Sequence, residues 1–208
     1  MKLELLKSSF EQISSDLVVV FATKAAAKDT GKESGKKADK KDKEQKPKVT
    51  VEGLGKTGTA TVTEKITSAL EDGSLSASAC EFVLFRDAKV AQARHLAVVG
   101  LGEVKDITAE VIRQAVATAF TSAKAAKAKS VSFAMDSLAH NSLSPEIVMQ
   151  AAAEGAALAS YSFHEFKSGK KDDGVTTVHF VSTSKNKGQE KGLETATVLA
   201  ECVNFSRW

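Results

Sequence analysis

Strand-like apolar runs and helix-like amphipathic segments take turns along this chain of 208 residues, and that alternation commits it to an α/β architecture. The most telling strand is Asp16–Ala22, a continuous run through Leu17, Val18, Val19, Val20 and Phe21. A run without polar alternation reads as a strand buried on both faces. Lys2–Leu6 alternates polar with apolar and reads as an edge-like strand. Lys48–Val51, Cys80–Phe85, His95–Val99, Ser130–Met135 and Val175–Val181 supply further strands. Helical text lies between them. Thr63–Glu71 stops before Asp72-Gly73. Thr108 caps a helix running to Ala128, with Glu110 in its first turn, Ile112, Val116, Ala119, Phe120 and Ala123 on one face, and Lys124, Lys127 and Lys129 at its far end. Ser144-Pro145-Glu146 is a helix start, with cap, proline and acid in order, leading through Ile147, Val148, Ala151, Ala152 and Leu158. Leu193–Phe205 closes the chain as a helix. The pattern predicts a largely parallel or mixed sheet between two layers of helices.

The chain is long enough for one large α/β domain, or one domain with an insert. Residues 24–48 are such an insert: lysine-rich, without an aromatic residue, and unable to bury enough surface to offset their ordering entropy. They are expected to form a disordered loop within the domain. Of 29 basic and 26 acidic residues, ten and five lie in that tract, which leaves the rest at 19 against 21. The folded body is mildly acidic, so a globally basic nucleic-acid surface is not supported. No apolar run reaches the roughly 18–20 residues of a bilayer span, and the N-terminus lacks the features of a secretory signal. Cys80 and Cys202 both sit in apolar text and read as small buried residues in a reducing cytoplasm.

The chemistry-bearing motifs are weak. Gly53-Leu54-Gly55-Lys56-Thr57-Gly58 matches the GxGxxG spacing, but Thr59–Val62 after it reads as strand, which favours a flexible glycine hairpin over phosphate binding. Gly100-Leu101-Gly102 reads as a tight turn leaving the sheet, because Glu103 and Asp106 would repel a phosphate. His95, His140, His164 and His179 share no metal-binding spacing. No nucleophile elbow or carboxylate cluster appears. The sequence therefore assigns no catalytic, cofactor-binding or metal-ligating residue to this chain.

Three passages in order resemble the N-terminal domain of the leucine (cytosol) aminopeptidases, a family of metallopeptidases. They are His95–Gly102 with Ile107–Glu110, then Ala152–Phe163 with Phe166-Lys167, and finally Ala200–Trp208, which looks like the family's linker helix. The resemblance implies an α/β domain, 1–190, with a macro-domain-like mixed sheet flanked by helices on both faces, and a start of the linker helix at 191–208. It also implies a non-catalytic assembly or regulatory role in a hexamer. Two divalent metals, zinc or manganese, would then belong to a catalytic domain absent from this chain. The Lys-rich insert departs from the family. The alternative is a macro-like module binding nucleotides or nucleic acid through the Gly100–Gly102 turn or the lysine tract; no membrane partner is expected.

Overall fold

A computed structural model describes residues 1–24, 49–51, 55–88, 90–138, 143–162 and 174–207, with only the backbone of 55–59. All but the first residue of the lysine tract, together with Gly53, Leu54, His140, His164, Phe166, Lys167 and Trp208, lies outside them.

The strands are β1 (Lys2–Lys7), β2 (Leu17–Lys24), β3 (Val49–Thr50), β4 (Phe82–Phe85), β5 (His95–Glu103), β6 (Ser130–Ala134) and β7 (Thr177–Ser182). The helices are α1 (Gly55–Glu71), α2 (Ala109–Ala125), α3 (Pro145–Ala159) and α4 (Lys187–Ser206). The strands form one mixed sheet in the order β1-β7-β6-β2-β5-β4, with β3 paired to the end of β2. All neighbours from β1 to β5 run parallel, while β4 is antiparallel to β5. The mixed sheet with helices on both faces is as expected, and β1 is indeed an edge.

β2 is central, and Leu17–Ala22 are fully buried, as a run without alternation requires. Its side chains divide between two cores. Leu17, Val19 and Phe21 face α2, α3 and α4, whereas Val18, Val20 and Ala22 face α1. On the first side Phe21, Phe133 and Phe180 form an aromatic row across β2, β6 and β7, with ring centroids 6.2 and 5.7 Å apart. On the second, Val62, Ile66 and Ala69 of α1 cover the sheet.

The caps read from sequence are in place: Thr108 accepts a hydrogen bond from the Val111 N–H and Ser144 from the Ile147 N–H. Three expectations are corrected. Thr59–Val62 is helix rather than strand, because Val62 begins a helically spaced stripe that the sheet buries. The glycine segment near residue 100 is not a turn: β5 continues to Glu103. Finally, α4 starts at Lys187, six residues before Leu193, where Asn186 and Gln189 form a reciprocal capping box.

Candidate functional site

The reason β5 runs on is a loop laid against it. Ser78 lies where a side chain at Gly100 would have to go, so a Cβ there would meet the Ser78 carbonyl far inside contact distance. Cys80 donates its N–H to the Gly100 carbonyl at 2.9 Å, and Gly102 donates to Ala77 at 3.1 Å. The loop holds Ala77 and Cys80 in the left-handed region, at φ 53° and 62°. Its geometry is fixed by Glu81, whose carboxylate accepts from the backbone N–H groups of Ser76 and Ser78 and from the Ser76 hydroxyl. The space beside Gly100 is therefore filled by protein backbone, which argues against a phosphate there.

The two described histidines, His95 and His179, do not converge. His95 accepts the Asp87 N–H at Nδ1, 3.1 Å away. His179 stands between Glu4 (Nε2 to Oε2, 3.4 Å) and Ser132 (Nδ1 to Oγ, 3.5 Å), its direct neighbours in register on β1 and β6. Serine, histidine and carboxylate thus form a row, but Ser132 is 1% exposed in mid-strand. The row clamps three strands and offers no substrate access to a nucleophile.

Interior carboxylates are likewise satisfied by protein donors. Asp16 accepts from the N–H groups of Lys129 and Ser130 and from the Ser130 hydroxyl. Burial opposes its charged form, but these hydrogen bonds outweigh burial and hold its carboxyl below the usual range. Glu154, 7% exposed on α3, receives Arg113 Nε and Nη2 from α2 at 2.9 and 2.7 Å on one oxygen, and Gln150 at 2.8 Å on the other. Arg113 also reaches Glu110. Beside this pair Gly155 lets α3 approach the Arg113 carbonyl. The Glu154-Gly155 dipeptide is therefore a helix-packing device.

Cys80 is half-buried, and burial, with the Glu110 charge, pushes its thiol up. Cys202 is exposed, contrary to the sequence reading: it lies on the outer side of α4, while Ala196 and Ala200 face inward. Among the described residues no group of three or more His, Cys, Asp or Glu is placed to hold a metal ion, so these residues offer a two-metal centre no seat. Nor is any helix among them long and apolar enough to cross a membrane.

Among the described residues, the C-terminal part of α4 carries several exposed apolar side chains. Phe205 is 82% exposed and Val198 56%, with Leu199 and Val203 beside them. A cleft of about 580 Å³ lies against this end, lined by Tyr161, Glu201, Cys202, Asn204 and Phe205. Tyr161 donates its hydroxyl to the Arg207 carbonyl at 2.8 Å, and the Arg207 guanidinium lies 5.4 Å from the Tyr161 ring centroid. Asn204 donates its amide to the Ala157 carbonyl at 3.4 Å, while its buried Oδ1 has no partner among the described residues. Sequence reading marked this helix as apolar; its inward–outward split was set by where α3 and the sheet lie.

An α/β lobe of this fold is found in solved structures of larger proteins. A mutant of tomato leucine aminopeptidase matches 98% of this chain and 36% of its own, at TM-score 0.68 and 17% identity. The bottromycin maturation enzyme BotP matches 92% and 31%, at TM-score 0.57 and 17% identity. These likenesses establish the fold. Residues 41–170 match the N-terminal domain of the cytosol aminopeptidase family. The probable cytosol aminopeptidase of Bdellovibrio bacteriovorus is 33% identical over 155 residues, covering 74% of this chain and 31% of that protein. The one from Clostridium perfringens is 37% identical over 112 residues, 52% and 22% of the two chains. The chain belongs to the cytosol aminopeptidase family and carries its N-terminal domain. It spans under a third of the length of these curated relatives.

Proposed function

We propose that this chain is the non-catalytic N-terminal lobe of a leucyl aminopeptidase, serving assembly or regulation of an enzyme that removes N-terminal residues from peptides. The observation that carries the reading is the family match over residues 41–170 together with the small share of the relatives that the chain covers. The chemistry would belong to a separate catalytic part, where two divalent ions, zinc or manganese, activate water and stabilise the tetrahedral transition state. This chain's own contribution is shape. Its rigid two-core sheet holds α4 in place and presents apolar surface to neighbouring parts of a cytoplasmic homo-oligomer, a hexamer by the family resemblance.

The test is hydrolysis of a leucine chromogenic amide by the purified chain with added zinc or manganese. No turnover above the metal-only blank is expected. Metal-dependent turnover that follows the chain through purification would refute the reading.

A further inference from the structure

The sheet ends in two edges of different character. At one, β1 carries Lys2, Glu4 and Lys7, charges that oppose pairing with a further strand. At the other, β4 is Phe82-Val83-Leu84-Phe85, apolar throughout and only partly buried. Among the described strands β5 alone pairs with β4. The Gly100 N–H donates to the Glu81 carbonyl at 2.8 Å, and the antiparallel register sets Val83 opposite Val98 and Phe85 opposite Leu96. Antiparallel bonding alternates, so Val83 and Phe85 bond towards β5, and the N–H and C=O groups of Phe82 and Leu84 point outward.

These outward groups are self-complementary. With a two-fold axis at Val83, Phe82 of each copy lies opposite Leu84 of the other, and each such pair exchanges both N–H···O bonds. The side chains brought together are apolar, Phe82 against Leu84 on the α2 face and Val83 against Val83 on the α1 face. The same register carries Arg86 of the second copy to the Cys80 end of β4, beside Glu110, whose charge reaches the Cys80 thiol. Centring the axis on Leu84 would set Glu81 against Asp87, both acidic. Centring it on Phe82 would run Leu84 against Cys80, where the left-handed backbone breaks the strand.

We propose that β4 is an isologous pairing edge, at which a second copy of this chain adds antiparallel and joins the two sheets into one. Main-chain bonds between Phe82 and Leu84 hold the copies together. The Phe82, Val83 and Leu84 side chains exclude water from those bonds, and Arg86 fixes the register. A foreign strand would find the same main-chain groups but not the match of Arg86 to Glu110. The pairing rests on the edge itself and stands apart from the accessory-lobe reading.

The test is sedimentation of the full chain over a range of concentrations, with amide hydrogen exchange read residue by residue at each. A monomer–dimer equilibrium is expected, in which the Phe82 and Leu84 amides become about tenfold or more protected as dimer forms. The Val83 amide, bonded to β5, should be protected in both states. Arg86→Glu is expected to weaken the dimer about tenfold without changing thermal unfolding of the monomer, since Arg86 is exposed. Val83→Lys, which sets a lysine from each copy at the axis, should leave monomer alone. If that variant fails to fold, the exchange pattern and Arg86→Glu still decide. A chain that stays monomeric at every concentration would overturn the proposal. So would a dimer whose Phe82 and Leu84 amides exchange as fast as in the monomer, or one that Arg86→Glu leaves as tight. The association and hydrolysis results are independent, so failure of the pairing edge is distinguishable from failure of the accessory-lobe reading.

Discussion

Replacing Gly155 by alanine sets two effects of opposite sign against each other. In a helix interior, alanine is favoured over glycine by about 0.5–1 kcal/mol. At Gly155, however, the new Cβ would fall well under 3.0 Å from the Arg113 carbonyl oxygen and 3.2 Å from both the Arg113 carbonyl carbon and the Val116 Cβ. The nearest atom is backbone and cannot swing aside, so α2 and α3 must separate. Overpacking of this kind costs about 1–3 kcal/mol, and separation also stretches the Arg113 hydrogen bonds to Glu154. The net expectation is a loss of about 1–2 kcal/mol, or a melting temperature lower by roughly 2–8 °C for a domain of this size. Urea unfolding followed by circular dichroism measures it, with an unchanged m-value showing that only stability moved. Combined with Arg113→Met, the cost should fall short of the sum, because both changes damage the same contact. A Gly155→Ala protein as stable as the parent, or more so, would refute the close-packing account.

Other perturbations follow the same logic. Arg113→Met leaves the Glu154 carboxylate buried with Gln150 as its remaining donor; because about a third of the Arg113 side chain is exposed, the cost should be roughly 2–3 kcal/mol, below that of a fully buried pair. Adding Glu154→Gln should recover part of it, measured by the same unfolding curves. Ser144→Ala should cost about 1 kcal/mol through loss of the α3 cap, and no change in the melting curve would count against that role. The carboxyl of Asp16 is held below its usual range in the folded state, so its contribution is present above the unfolded value of 3.8 and is lost as pH falls through the lower folded value. In Asp16→Asn, the stability deficit seen at neutral pH should therefore shrink in strong acid. A deficit that persists unchanged in acid would show that the charge is not what ties β2 to the start of β6.

Local chemistry made much of the fold legible. Thr108 and Ser144-Pro145 mark helix starts because a cap satisfies N–H groups only a few residues away. The unbroken run at residues 17–22 marks the central strand, because a strand with helices over both faces needs apolar side chains in both directions. The start of α1 was not legible. Thr59–Val62 is β-branched text, and burial of Val62, Ile66 and Ala69 against the sheet overrides its strand preference. Gly100 looked like a turn because a sequence cannot show that a distant loop carbonyl occupies the space beside it. The beginning of α4 was hidden behind Gly188 and Gly192, although Asn186 and Gln189 gave a capping signal.

From the sequence alone came the class of fold, the order of its elements and the family resemblance. Each depends on periodicity or spacing along a short stretch of chain. Only tertiary structure decided that Glu154 and Gly155 serve the α2–α3 contact, that His179 clamps three strands, and that Cys202 and Phe205 face outward while Ala196 and Ala200 face in. Those assignments depend on which residues, far apart in the chain, come within a few ångströms, and burial sets that globally.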